Sequence, residues 1–368
     1  MIRVFEPKLN FKDYISVLKT LHQNNISGTS PIVEKFEKHL AQAFEMDDAV
    51  SLSNGSVALE MAFRSLDLKE GDEVIVPSFT IISCLSAILR TGATPIFCDV
   101  DQISWNMTLD NVTNKYSNNT KAILMVHTYG LAAEAEKIRN FCDSNNLILI
   151  EDTAEAHGQV VNGKKCGSFG DISTLSFYAN KHITTGEGGA VLSNNRDYIA
   201  RLRQLINLDF RSEERFKHQN FYWNQRLGGL QAALGISQIE GLTKVINQKI
   251  IQAKVYNNIF KEHDEKVMFH PEEHNGVKNH YWVYGILLKK DNIRDQLMKN
   301  LLDIGIETRP FFWPLHKQDA FLNKNPQFAE KLPIAENLGK NGLYIPIGNH
   351  IQKKDQIFIA NKVIEFIS

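Results

Sequence analysis

Long apolar runs are missing from this chain of 368 residues. Its longest apolar stretches have only the length of strands, so no membrane-spanning helix is expected. The first ten residues, MIRVFEPKLN, hold an acid and a proline and no continuous apolar segment, unlike a secretory leader, and a cytoplasmic protein is expected. Cysteine is scarce. Cys84, Cys98, Cys142 and Cys166 stand far apart with no Cys-X-X-Cys pair, which indicates neither a zinc ribbon nor a disulfide framework. Neither sign of charge is in excess: 41 Lys and Arg face 42 Asp and Glu, a formal net charge of -1. That balance gives no electrostatic case for nucleic acid. His127 and His157 each follow a predicted strand, yet without an organised third ligand they make no metal site. No loop ends in Gly-Lys-Thr, and GEGG at 186–189 does not match a dinucleotide fingerprint.

What the chain does have is alternation. An entry arm is followed by PIVEKFEKHLAQAF, with apolar residues at helical spacing. The strand candidates DEVIVPS, TPIFCDV, KAILMVH, LILIED and GAVLSN are then separated by segments suited to helices, such as SCLSAILRTG and EAEKIRNFCDSNN. This order predicts an α/β fold with a mainly parallel sheet covered on both faces. Near residue 240 the pattern changes, and a long helical stretch leads into a smaller α+β domain with HYWVYGILL as a strand and KDQIFIANKVIEFI as a closing helix. The expected division is 1–245 for the arm and large domain and 246–368 for the small one.

Lys181 lies in SFYANKHITTGEGGAV (176–191), after an aromatic-bearing apolar run and before a glycine-rich turn. Such a turn lets backbone approach a bulky ligand closely. A lysine nucleophile must spend time as the neutral amine, which apolar surroundings favour. The alternative is a surface lysine in a glycine hairpin. Asp152 closes the apolar run LILIED, as expected of a buried parallel strand whose carboxyl end opens on a crevice, where ligands bind in open α/β sheets. A carboxylate there suits a protonated pyridine nitrogen; it equally suits a helix cap. In SLSNGSVALEMA (51–62), small polar residues run into a helical pattern, so amides of Gly55 and Ser56 would face an anion, with the Ser176 hydroxyl beside them. An N-cap without a ligand reads the same way.

The segments SNGSVAL, GDEVIVPSFT, VHTYG, IEDTAEAHG, SFGDISTLSFYANKHITTGEGGAV, NQRLGGLQAALGISQIE and ETRPFFWPLH resemble, in order and approximate spacing, the DegT/DnrJ/EryC1/StrS family of sugar aminotransferases. The resemblance implies the fold type I architecture and pyridoxal 5'-phosphate as cofactor. Lys181 would hold the cofactor covalently and shuttle protons, Asp152 would pair with its ring nitrogen, and Glu155 would lie near its phenolic oxygen. Gly55, Ser56 and Ser176 would hold its phosphate. Asn224 would reach the phosphate from a neighbouring subunit, which implies a homodimer with shared sites. Where relatives place a stacking aromatic this chain has Ile81, which presses on a ring only by dispersion. A branch of the family that removes a hydroxyl has histidine in place of the lysine. Lys181 excludes that branch, and His182 is a bystander because neighbouring side chains in extended backbone point to opposite faces.

The resemblance further implies L-glutamate as amino donor and a nucleotide-linked keto-deoxysugar as acceptor. The lysine segment is more similar to enzymes aminating C4 of a 4-keto-6-deoxyhexose, with a GDP-linked 4-keto-6-deoxymannose first and a surface polysaccharide such as O-antigen as destination. The tail LYIPIGNHI departs from that pattern, leaving UDP- or dTDP-linked sugars, C3 chemistry or a longer keto-sugar open. Arg309 and His316 in ETRPFFWPLH are expected near the sugar pocket; a loop packed through Phe311, Phe312 and Trp313 is the alternative. Another pyridoxal phosphate chemistry, or a non-catalytic regulator on this fold, are the competing classes.

Overall fold

Seven strands form the sheet on which everything else is placed. The computed structural model describes residues 1–7, 9–211 and 214–368. β1 (Asp48–Leu52), β2 (Glu73–Pro77), β3 (Thr94–Cys98), β4 (Thr120–Val126) and β5 (Ile148–Asp152) are joined by the strands Ile172–Ser176 and Gly189–Ser193. Across the sheet the order is β1, Gly189–Ser193, Ile172–Ser176, β5, β4, β2, β3. Gly189–Ser193 runs antiparallel to both its neighbours, whereas the pairs from Ile172–Ser176 to β3 are parallel. This is the mainly parallel α/β sheet that the alternation predicts. β5 is buried along Leu149–Asp152, as expected when helices cover both faces.

Of the covering helices, α1 spans Phe11–His22, α2 Pro31–Phe44, α3 Gly55–Ser65 and α4 Ile82–Leu89. α2 begins with proline, whose missing N–H costs nothing in the first turn, and buries Val33, Phe36, Leu40, Ala41 and Phe44 on one face. α3 starts two residues after β1, where Asn54 caps it by accepting from the Val57 N–H at 2.9 Å. α4 follows β2 after a short turn, so both helices begin at the strands' carboxyl edge.

A 32-residue helix, Gly229–Phe260, then joins the two halves. Ala232 and Ile236 pack with α2 against the large sheet, while Ala253, Tyr256 and Phe260 enter the core of the small domain. The expected boundary at 245/246 falls inside this helix, which belongs to both cores. The small domain is a four-stranded antiparallel sheet, Val267–Phe269, Tyr284–Leu288, Gly342–Ile345 and Arg309–Pro310, closed by the helix Lys353–Ile367. Ile2 bridges to Ile306 and packs on this core, so the first residues of the entry arm sit with the small domain.

One predicted strand is shorter than expected. HYWVYGILL is extended sheet only from Tyr284, because the residues before it bind elsewhere. The His280 N–H donates to the Gly130 carbonyl at 3.0 Å, and Tyr281, at φ 49°, donates its N–H to Asn279 Oδ1 at 2.8 Å. This loop thereby crosses from the small domain to the large one. Among the described residues, no helix is long and apolar enough to cross a membrane.

Candidate active site

Asp152 and Lys181 meet because of strand order. β5 and Ile172–Ser176 are parallel neighbours, with Asp152 opposite Thr174, so their carboxyl ends open on the same edge. The segment after Ile172–Ser176 folds back on itself: the Phe177 N–H donates to the Gly188 carbonyl at 2.8 Å and the Thr185 N–H to the Phe177 carbonyl at 2.9 Å. Lys181 stands on the loop these bonds close. A cavity of about 540 Å³ lies there, lined by Lys181, Asp152, Glu155, Gly55, Ser56 and Ser176 among others. Lys181 Nζ is 3.4 Å from Glu155 Oε1, and it lies over the Trp282 ring, 3.7 Å from the centroid.

Burial controls the charges. The Lys181 side chain is only 9% exposed, and desolvation pushes its pKa below the usual lysine value against the pull of Glu155 and Asp152. Desolvation also raises Asp152, whose Oδ1 accepts from the Ala154 N–H at 3.0 Å and whose Oδ2 lies 3.7 Å from the Cys84 thiol. Glu155 is pushed up to about 7 by burial, although Lys181 and the Tyr129 N–H, at 3.0 Å, oppose the shift. The cavity thus holds an amine biased toward its neutral, nucleophilic form, with two acids biased toward keeping their protons.

The raised acid gives a stability prediction. Folded, Glu155 keeps its proton up to about pH 7, while the ordinary value is 4.5. Its stabilising contribution is therefore complete below about pH 4.5 and lost as pH rises through about 7. Urea unfolding of the cofactor-free chain at pH 5 and pH 7.5 should show Glu155→Gln abolishing about 2 kcal/mol of the fall in stability seen in the unaltered chain. Equal falls in both chains would remove the buried proton from Glu155.

The anion cradle is built tightly. Gly55 opens α3, and a Cβ added there would stand 2.6 Å from Ser176 Cβ, so these two predicted phosphate residues touch. Ser56 Oγ pairs with Ser83 Oγ at 2.7 Å. A helix N-terminus with free space in front of it favours an anion through its N–H groups and dipole. Ile81, the first residue before α4, also lines the cavity. Phe79 is wholly buried among Tyr129, Phe311 and Phe312 and does not replace the missing aromatic.

Three predicted residues lie apart. Asn224 is exposed and bridges to Asn207, outside the cavity of its own chain. Arg309 sits at the edge of the small sheet, paired with Glu307 at 2.5 Å and opposite Tyr344, a cavity residue. His316 needs correction as a sugar-binding residue. It is fully buried, its Nδ1 is 2.6 Å from Ser78 Oγ and its Nε2 is 3.2 Å from Glu336 Oε1. With both nitrogens occupied it ties the segment to the end of β2. His182 is buried away from the cavity, near Lys249, His157 and His280, the bystander position expected of it.

His127, Glu151 and Cys166 come within 4.8 Å of one another, but Glu151 is already saturated. It receives the N–H groups of Gly167, Phe169 and Gly170 and lies 2.8 Å from His127 Nε2. His127 Nδ1 accepts from the Ala133 N–H at 3.1 Å, so Nε2 carries the proton and donates to Glu151. The cluster anchors loops. The reading of the sequence missed Trp282, Phe312 and Tyr344, three aromatic cavity residues supplied from beyond residue 246.

A model of the DegT/DnrJ/EryC1/StrS aminotransferase family matches residues 10–364. GDP-perosamine synthase of Escherichia coli O157:H7 is 38% identical, across 100% of this chain and 99% of that protein. GDP-perosamine synthase of Vibrio cholerae is 36% identical, across 94% of each. Among solved structures, the aminotransferase TlmJ of Streptoalloteichus hindustanus superimposes with a TM-score of 0.92 at 26% identity, covering 100% of this chain and 98% of that one. Matched from its entry helix to its closing helix, the chain belongs to the DegT/DnrJ/EryC1/StrS family and is a sugar aminotransferase.

Proposed function

We propose that the chain uses pyridoxal 5'-phosphate to move an amino group from L-glutamate to C4 of a GDP-linked 4-keto-6-deoxymannose, for a surface polysaccharide. The observation that carries this reading is the buried Lys181 amine sharing one cavity with Asp152 and the N-terminus of α3. The cavity fits the cofactor on three counts. An amine is available for a covalent link, a buried acid stands ready for a pyridine nitrogen, and Gly55 and Ser56, which open α3, line the same cavity. The likeness to GDP-perosamine synthases along the whole chain supports the sugar.

When bound, the cofactor supplies the electron sink that lets a C–H bond beside nitrogen break. The chain's own residues do the rest. Asp152 would hold the charge of the ring nitrogen, which repays the cost of its own burial. Gly55, Ser56 and Ser176 would hold the phosphate. Lys181, once released, would take the α-proton of glutamate at Nζ and later return one to the sugar carbon. Glu155, protonated near neutrality, would hydrogen-bond the phenolic oxygen. A cytoplasmic homodimer completes the reading: α1 exposes Phe11, Tyr14, Ile15 and Leu18 on one face, and Phe221 and Trp223 stand exposed beside Asn224. A partner covering these surfaces would bring Asn224 to the neighbouring phosphate.

The test is to incubate the cofactor-loaded chain with L-glutamate and GDP-4-keto-6-deoxymannose, with dTDP- and UDP-linked keto-sugars in parallel. Mass spectrometry should find the amine only on the GDP-linked sugar, with one 2-oxoglutarate released per sugar. Amination of a dTDP- or UDP-linked sugar in preference would overturn the nucleotide, and no 2-oxoglutarate at all would overturn the amino donor.

The cradle carries its own prediction. Gly55→Ala places a methyl 2.6 Å from Ser176 Cβ and 2.9 Å from its Oγ, and such overpacking typically costs about 1–3 kcal/mol. Equilibrium dialysis should show pyridoxal phosphate bound about 10-fold or more weakly. Unchanged affinity would place the phosphate elsewhere.

A further inference from the structure

Trp282 brings the small domain against the Lys181 amine. It precedes the strand Tyr284–Leu288 and is held by three contacts, two of them to the lysine loop. Its ring lies under Lys181 Nζ, 3.7 Å from the centroid. Its Nε1–H donates at 3.0 Å to the carbonyl of Asn180, the residue before Lys181. Its own carbonyl accepts at 2.6 Å from Nζ of Lys249, a lysine buried in the helix Gly229–Phe260. The close approach depends on Gly130: at φ 97° it has no side chain, and a Cβ there would be 2.5 Å from the Trp282 nitrogen.

We propose that Trp282 is a positioning residue for amino transfer, holding the Lys181 amine against its ring face whenever that amine is free of the cofactor. The proposal rests on the reading of Lys181 as the catalytic amine. An indole face attracts a cation but carries no lone pair directed at it. It therefore keeps Nζ in place without taking its proton or fixing it in a directional bond, and a proton shuttle needs that freedom. Glu155, at 3.4 Å, is an acceptor of the other kind, but burial favours its neutral form. The charged and titratable groups facing Lys181 are Asp152 at the end of β5, Glu155 just after it, Cys84 of α4, Lys249 of the long helix, and His157. Lys249 is lowered to about 7 by burial first and by Lys181 second. Its grip on the Trp282 carbonyl fixes the backbone from which the ring projects, and the Nε1–H bond to Asn180 fixes the ring itself.

The experiment uses the full cofactor-free chain, pulse-labelled with an amine-acylating reagent across a pH series, with the Lys181 peptide quantified by mass spectrometry. Losing the cation–ring contact in Trp282→Leu should increase the acid constant of Lys181 about 3- to 30-fold, moving the labelling midpoint to lower pH. Trp282→Phe, which keeps a ring, should move it less and guards against a folding defect in the leucine variant. In the loaded chain, exchange of the glutamate α-hydrogen with deuterated solvent should slow about 10-fold in Trp282→Leu, with KM for glutamate little changed. Unaltered labelling and exchange in that variant would overturn the proposal, as would a loss confined to sugar binding, which would make Trp282 a wall of the cavity. No exchange in the unaltered chain would refute the amino-transfer reading and not the contact, which the labelling midpoint reports by itself.

Discussion

Lys181→Ala should leave the chain folded and reduce amino transfer by about four orders of magnitude or more. Two contributions vanish together. On the proposed reading the covalent link to the cofactor goes, and so does the base that moves a proton at the reacting carbon, by itself a factor of about 10²–10⁴. Folding should survive because the lysine is a cost to the folded state, not a support: burial depresses its pKa, and its one close carboxylate at 3.4 Å is itself biased toward the neutral acid. Release of 2-oxoglutarate from glutamate, beside a circular dichroism melt, separates the two effects. Turnover within about 100-fold of the unaltered chain would remove Lys181 from the chemistry.

The reach of the sequence can be judged element by element. α2 was legible to its ends, because proline starts it and one apolar stripe runs through it. Asp152 was legible as a strand-end acid, since LILIED announces a buried parallel strand; its meeting with Lys181 depends on the strand beside it. The adjacent strand itself, Ile172–Ser176, was not legible. It has only two apolar residues, set among hydroxyl residues of which the fold buries Ser173 and Thr174, Ser173 meeting Glu151 at 3.3 Å through its Oγ. Trp282 was invisible for a different reason. HYWVYGILL has the composition of a strand throughout, and the bonds of His280 and Trp282 to distant groups, with the local bond of Tyr281 to Asn279, pull its first half into a loop. His316 shows the reverse error. A charged or polar residue after two prolines suggests a presented group, yet the buried Leu315 N–H donates to the Ser78 carbonyl at 2.8 Å and draws the histidine inward.

Asp152→Asn should separate stability from catalysis, moving them in opposite directions. In the cofactor-free chain the Asp152 carboxyl is buried and its pKa is raised, mainly by desolvation, so its ionised form is a burden near neutral pH. An amide of the same shape carries no such burden, and Oδ1 can still accept from the Ala154 N–H at 3.0 Å. The cofactor-free variant should therefore melt at or above the temperature of the unaltered chain. With cofactor the sign reverses. In the role proposed for Asp152, a protonated ring nitrogen facing an amide would lose its counter-charge, and removing one member of a buried ion pair costs about 3–5 kcal/mol. If that cost falls on the reacting state, glutamate-dependent release of 2-oxoglutarate slows about 10²–10³-fold. Melting curves without cofactor and single-turnover rates with it, measured on the same preparation, check both signs. A variant that melts lower and reacts normally would make Asp152 a structural cap for the turn after β5, the other role open to an acid at the end of a buried strand.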